Sequence, residues 1–158
     1  MYGGFLVWHN VYDTYSGLFK EVSLLMKGEM SMFHYTVEVS KSLKETVSAL
    51  EASLKNEKFG VLWSLNMKET LAGKGLELNE DYIILEVCNP NEAKKVLEKS
   101  PLVSYFLPCK IVVYSDNGTT KVGLPRPTEL IKMVDDEELQ TIAADIEKRL
   151  IGSIDSIK

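Results

Sequence analysis

The sequence has few cysteines and histidines, no excess of positive charge and no long apolar run, and each of these absences excludes a class of protein. It holds two cysteines and two histidines among 158 residues, too few for a secreted disulfide framework or a Cys/His metal cluster. Its 18 basic and 23 acidic residues leave a net charge of −5, without the positive excess that nucleic acid binding requires. No apolar run approaches the roughly 18 residues of a membrane-spanning helix. We therefore expect a soluble, cytoplasmic protein with no metal, no cofactor, no nucleic acid partner and no membrane association.

The composition that remains is that of one folded domain. Hydrophobic residues make up 45% of the chain and charged residues 26%, proportions that are typical of globular domains. The length also suits a single domain. We expect an α+β domain over residues 33–152, an N-terminal extension over residues 1–32 and a C-terminal tail over residues 153–158.

The N-terminal extension differs from the rest of the chain. It holds six of the fourteen aromatic residues, and Asp13 is the only charged residue before position 20. Apolar residues spaced three and four apart predict a short helix over residues 16–27. Two interpretations stay open: an arm that docks on the core or on a second subunit, or an extension (residues 1–29) that is not translated because synthesis starts at Met30 or Met32.

Hydrophobic periodicity predicts the order β-α-β-(α)-β-α-β-β-α. Asp116-Asn117-Gly118 predicts a tight hairpin, because Asn-Gly tolerates positive φ. The apolar helix stripes need one face of a sheet to cover. We therefore expect a two-layer sandwich, with a mostly antiparallel sheet of four to five strands and helices packed on one face. The predicted strands span residues 33–39, 61–65, 82–88, 110–115 and 121–124, and the predicted helices start near residues 43, 67, 90, 128 and 135.

Capping residues mark two of the helix starts. Ser42 and Glu45 form a capping-box pattern, in which each side chain satisfies a free backbone N–H group of the other residue. Asn89 is a preferred N-cap residue, and Pro90 suits the first helical position. The residues expected on buried helix faces are Leu43, Val47, Leu50, Leu54, Ala93, Val96, Leu97, Leu139, Ile142, Ala143, Ile146 and Leu150.

Several blocks of the sequence resemble one known family. They are Ser42 to Lys55, Phe59-Gly60-Val61-Leu62, Met67-x-x-x-Leu71, Cys88-Asn89-Pro90 with Ala93 and Leu97, Leu107-Pro108-Cys109-Lys110-Ile111-Val112-Val113-Tyr114, and Pro127. In this order they are similar to the family catalogued as domain of unknown function 302, over roughly Phe33 to Gly152. The resemblance implies a two-layer α+β domain of the TATA-binding-protein-like type, often dimeric and found in bacteria and archaea. It carries no assigned activity.

The two cysteines are candidate catalytic residues. Cys88 ends the third strand and directly precedes the helix that Asn89 caps, whose free N–H groups and dipole would stabilise a thiolate. Cys109 begins the fourth strand behind Pro108, so the two sulfurs share one end of the sheet if these strands are neighbours. One hypothesis is thiol chemistry at this end. The other is that both cysteines are small buried hydrophobes.

Two functions follow from these features. The first is a homodimer that binds a small ligand, for which an anion is one candidate, or a protein partner. Its candidate ligand-binding residues are Cys88, Asn89, Pro90, Pro108 and Cys109, because a helix N-terminus favours anions. The alternative is a thiol-dependent redox or sulfur-transfer protein that uses Cys88 and Cys109. Whether the protein is an enzyme stays open.

Overall fold

The computed structural model describes residues 33–158, so the expectations for residues 1–32 lie outside the described part of the chain. The strands are β1 (His34–Val39), β2 (Gly60–Asn66), β3 (Tyr82–Cys88), β4 (Cys109–Asp116) and β5 (Thr119–Pro125). The helices are α1 (Leu43–Asn56), α2 (Met67–Ala72), α3 (Pro90–Lys99), a 3₁₀ helix (Pro101–Phe106), α4 (Pro127–Ile131) and α5 (Glu137–Asp155). The predicted element order is therefore confirmed.

The five strands form one sheet in the order β1-β5-β4-β3-β2. All four neighbouring pairs are antiparallel. The β4–β5 hairpin turns at Asn117, with φ 50°, and Gly118, with φ 83°. Both values lie in the left-handed region that a two-residue hairpin turn of this kind requires. The sheet and its helices confirm the α+β sandwich.

The main core lies between one face of the sheet and helices α1 and α5. Leu85, Ile111 and Val122 point inward from β3, β4 and β5, and each is completely buried. Leu50 of α1 and Leu150 of α5 meet them and are also completely buried. Burial of one such side chain contributes about 1.5–3 kcal/mol. This core is therefore the main source of the stability of the domain.

The predicted helix starts are observed, whereas one residue expected on a buried helix face is exposed. The backbone N–H of Ser42 donates to the Glu45 carboxylate at 3.0 Å, and the Glu45 N–H donates to the Ser42 hydroxyl at 3.4 Å. In α3, Val96 is buried but Leu97 is 43% exposed. Successive residues of an α-helix point about 100° apart. The narrow buried strip of α3 therefore includes Val96 and excludes Leu97.

The C-terminal segment differs from the expected tail. Helix α5 continues through Gly152 to Asp155, and Ile154 and Ile157 are 0% and 5% exposed in the main core. A glycine inside a helix costs about 1 kcal/mol relative to alanine. Burial of an isoleucine contributes about 1.5–3 kcal/mol, so the packing of Ile154 outweighs the glycine. Residues 153–158 thus complete the domain.

A second cluster of buried residues lies beside the main core. It joins α3, the 3₁₀ helix, α4 and α5 through Val96, Val103, Ile131 and Leu139. Each of these residues is at most 6% exposed. This cluster places three short helical segments next to the N-terminal half of α5, close to the start of β4.

Candidate functional site

A gap between two strands opens the interior of the domain. The β4–β5 ladder ends at the pair Val112–Gly123, although β4 begins at Cys109 and β5 continues to Pro125. Continuing the same register would set Lys110 opposite Pro125, which has no backbone N–H to donate to a ladder. The first residues of β4 and the last residues of β5 therefore have no pairing with each other.

The gap leads into a pocket of about 370 Å³. Its floor is α5, with Leu139, Ala143, Ile146 and Leu150, and its other walls come from the ends of β4 and β5, the 3₁₀ helix and α4. Tyr105 also lines the pocket and is 82% exposed, so the mouth lies on that side. We call this cavity the strand-end pocket.

A buried carboxylate positions one wall of the strand-end pocket. Glu147 of α5, 7% exposed, accepts hydrogen bonds from Arg126 Nη1 at 3.0 Å, from the Thr128 backbone N–H at 3.0 Å and from the Thr128 hydroxyl at 2.6 Å. These bonds tie the Pro125-Arg126-Pro127 connector and the first turn of α4 to α5. Pro125 and Pro127 both line the pocket, so the network sets the position of this wall.

The lining of the strand-end pocket includes two charged residues and one thiol. Glu86 of β3 and Lys110 of β4 are cross-strand partners, and the Lys110 ammonium donates to the Glu86 carboxylate. Both residues line the pocket, as does Cys109. Most of the remaining lining is apolar. This lining suits a mainly apolar molecule.

The sequence-predicted site residues are divided between two places. Pro108 and Cys109 line the strand-end pocket, whereas Cys88, Asn89 and Pro90 do not. Strands β3 and β4 are neighbours, as the cysteine hypothesis required. However, Cys109 pairs with Val87, and successive strand residues point to opposite faces of a sheet. The two thiols therefore lie at the same end of the sheet but on opposite faces.

Burial raises the pKa of both thiols. For Cys88 this is the direction opposite to the thiolate stabilisation expected from the following helix. For Cys109 burial is the main cause, Cys88 and the Glu86 carboxylate add to it, and the pKa rises to about 11. Both groups are therefore protonated at neutral pH, the less reactive form of a cysteine.

The start of α3 has no free backbone donor for an anion. Asn89, 5% exposed, accepts from the N–H of Asn91 at 3.1 Å and from that of Glu92 at 3.3 Å. The Ala93 N–H donates to the Asn89 carbonyl at 2.9 Å, and Pro90 has no N–H. The N-cap prediction for Asn89 is confirmed, and the same bonds occupy the groups that an anion would use.

Two other kinds of feature are absent from residues 33–158. In that range no group of three or more His, Cys, Asp or Glu side chains is arranged to hold a metal ion. Nor is any helix of that range both long enough and apolar enough to cross a membrane.

Sequence reasoning missed Glu147 and most of the pocket lining. Glu147 did carry a signal, because it lies four residues after Ala143 and three before Leu150 and so falls within the apolar stripe of α5. A charged residue at such a position is buried only when it is paired. The rest of the lining comes from segments far apart in the chain and has no local signature.

Comparison with known proteins agrees with this architecture. No curated protein matches the chain. The chain is similar to a solved structure described as "uncharacterized conserved protein DUF302 from Bacillus stearothermophilus", with 56% sequence identity and a TM-score of 0.78, over 80% of this chain and 99% of that one. A family model described as "Domain of unknown function DUF302" matches residues 35–157. The chain therefore belongs to the DUF302 family.

Proposed function

We propose that this protein binds a small, mainly apolar molecule in the strand-end pocket, and that it acts as a homodimer in the cytoplasm. The observation that carries the proposal is the pocket itself. Its volume of about 370 Å³ falls within the roughly 300–1,000 Å³ of small-molecule sites. Protein interiors normally leave few voids larger than a water molecule. A pocket of this size with a mainly apolar lining therefore has the form of a binding site.

The thiol-dependent alternative has less support. A reactive cysteine needs an exposed thiol with a lowered pKa, whereas the pKa of both thiols is raised. The opposite orientation of Cys88 and Cys109 also disfavours a reaction that passes between the two sulfurs. Cys109 contributes to the pocket as a neutral, weakly polar part of its wall.

The edge of the sheet supports the homodimer. Strand β2 is an edge strand, and Leu62 and Trp63 on it are 62% and 54% exposed. Edge strands present unpaired backbone groups, and exposed apolar residues on them favour pairing with another chain. Addition of β2 from a second copy would cover both residues. The family resemblance, which implies frequent dimers, agrees with this arrangement. Two free cysteines suit a reducing compartment such as the cytoplasm.

Light scattering after size-exclusion chromatography tests the homodimer. We expect twice the 17.8 kDa mass of the chain for the unmodified protein and a monomer for Trp63→Lys. Met133→Lys is the matched control, because Met133 is 75% exposed and lies outside β2. A monomeric unmodified protein, or a dimeric Trp63→Lys variant, would contradict this part of the proposal.

Fluorescence of N-phenyl-1-naphthylamine, a neutral apolar dye, tests the pocket. We expect saturable emission with the unmodified protein and at least tenfold weaker binding by Ala143→Phe, because the added ring occupies the pocket floor. Ala143→Leu should give a smaller loss. Ala144→Phe is the control, since Ala144 is the next residue of α5 and is exposed. Circular dichroism confirms that each variant is folded. No binding, or equal binding by the Ala143 and Ala144 variants, would refute the pocket.

A further inference from the structure

The backbone of Lys110 in β4 faces the gap between β4 and β5. Backbone hydrogen bonds of antiparallel strands alternate, so successive residues of a central strand bond to opposite neighbours. The pair Asp116–Thr119 closes the two-residue turn, and counting back in twos along β4 from Asp116 reaches Lys110. The N–H and C=O of Lys110 therefore point toward β5, where the ladder has already ended at Val112–Gly123.

Pro125 leaves the Lys110 carbonyl without a donor from β5. In the register of the ladder Pro125 would face Lys110, and a proline has no backbone N–H. The N–H and C=O of one extended residue lie on the same side of the strand and close together. At the gap, β4 thus offers one donor and one acceptor side by side, and β5 cannot satisfy both of them.

The backbone of Lys110 lies closer to the pocket floor than its side chain does. Lys110 and Pro125 both line the strand-end pocket. The side chains of Glu86 and Lys110 point to the sheet face opposite to Ile111 and the α5 floor. The backbone lies in the plane of the sheet, between its two faces. A molecule on the floor therefore meets the backbone of Lys110 rather than its ammonium group.

These two backbone groups select the chemistry of a ligand. A carboxylate would set a negative charge against the Lys110 carbonyl oxygen, and a ketone would leave that carbonyl without a donor. A backbone group that loses water and gains no partner weakens binding. An amide with its N–H and C=O side by side, as in a primary carboxamide or a lactam, satisfies both groups. It also brings no net charge into the mainly apolar lining, where an unpaired charge is costly.

We propose that the ligand of the strand-end pocket is a neutral apolar molecule that carries a carboxamide or lactam group. The amide oxygen accepts from the Lys110 backbone N–H, and the amide N–H donates to the Lys110 carbonyl. The apolar body lies against Ala143 and Ile146 on the floor. The ligand thus takes the place in the ladder that Pro125 leaves open. This inference rests on the proposed function, because it names the ligand class of the same pocket.

Three compounds of similar shape test the inference by competition with N-phenyl-1-naphthylamine at pH 7. The amide 2-naphthamide donates and accepts hydrogen bonds, the ketone 2-acetylnaphthalene only accepts, and 2-naphthoate only accepts and is charged. We expect the amide to bind about tenfold more tightly than the ketone, because the ketone leaves the Lys110 carbonyl unpaired. The carboxylate should bind more weakly than the ketone, because its charge loses hydration in the pocket.

Two variants at position 110 identify the group that recognises the amide. Lys110→Pro removes the backbone N–H as well as the side chain, whereas Lys110→Ala removes the side chain alone and is the reference. The lost N–H faces β5, so the neighbouring β3–β4 pairs keep their hydrogen bonds. We expect 2-naphthamide to bind about tenfold more weakly to Lys110→Pro than to Lys110→Ala. The hydrocarbon 2-isopropylnaphthalene, which forms no hydrogen bond, should bind equally to both. Circular dichroism confirms that each variant is folded.

The outcomes separate this inference from the proposed function. If the ketone or the carboxylate binds as tightly as the amide, the ligand class is wrong and the pocket function stands. Equal binding of the amide by the two variants leads to the same conclusion. The three compounds are compared on the unmodified protein, so they decide the inference even if Lys110→Pro does not fold. If neither the dye nor any of these compounds binds, the proposed function itself is wrong.

Discussion

Replacement of Glu147 by alanine is the most direct test of how the pocket wall is held. Glu147 is 7% exposed and accepts three hydrogen bonds, one from Arg126 and two from Thr128. The substitution removes all three acceptors at once. It leaves the Arg126 guanidinium without its carboxylate and the Thr128 N–H and hydroxyl without partners.

The size of the loss follows from the burial of these groups. Breaking a fully buried ion pair by removing one partner costs about 3–5 kcal/mol. The side chain of Arg126 is 33% exposed, so water compensates part of the loss. We expect the free energy of unfolding to fall by about 3 kcal/mol. For a domain of this size this corresponds to a decrease in Tm of about 10 °C.

Urea and thermal unfolding measure this loss against two controls. Glu147→Gln keeps one acceptor oxygen and should lose less than Glu147→Ala. Glu138→Ala removes an exposed carboxylate of the same helix, paired with Lys99 on the surface, and should cost at most about 1 kcal/mol. Glu147→Ala should also weaken dye binding, because the wall formed by Pro125 and Pro127 loses its anchor. If Glu147→Ala cost no more than Glu138→Ala, the positioning argument would be refuted.

Three further predictions concern the thiols, the pH dependence and the core. Iodoacetamide should modify native Cys109 very slowly at pH 7, since a pKa of about 11 leaves about one molecule in 10,000 as thiolate. Cys88 should react faster than Cys109 but more slowly than it does in the urea-unfolded protein. Intact mass spectrometry measures the labelling, and rapid labelling of native Cys109 would contradict the prediction. Hydrogen bonds from Lys158 and then from Tyr35 lower the pKa of Asp155. A lowered carboxyl pKa stabilises the fold above about pH 4 and ceases to do so as the pH falls through the folded-state value. Asp155→Asn should therefore lower Tm more at pH 7 than at pH 3, and equal decreases would contradict the linkage. Leu50→Ala removes a completely buried side chain and should cost about 3 kcal/mol in urea unfolding, whereas a cost below about 1 kcal/mol would contradict the packing of α1.

The secondary structure was predictable because its signals are local. The Ser42–Glu45 capping box, the Asn89 N-cap and the Asn117-Gly118 turn each involve residues within three positions of one another. Alternation along β1 and the nearly continuous apolar run of β3 marked strands for the same reason. The end of α5 was predicted less well, because the contribution of Ile154 depends on a sheet that the sequence does not display.

The candidate site was predictable only in part. Cys109 and Pro108 do line the strand-end pocket, and Cys88 does lie on the neighbouring strand. The faces to which the two thiols point depend on the β3–β4 register. That register is set by pairs such as Val87 and Cys109, which lie 22 positions apart in the chain. No local pattern specifies it.

The sequence by itself determined the element order, the helix caps, the hairpin and the family. Each of these depends on short stretches of residues that are close together in the chain. Only the tertiary structure decided where β4 and β5 separate, which residues line the pocket between them and how Glu147 holds its wall. The pocket joins β3, β4, β5, the 3₁₀ helix, α4 and α5, and Glu147 reaches back 19 residues to Thr128. Such contacts arise when separate apolar stripes pack together, and that packing is a property of the assembled fold.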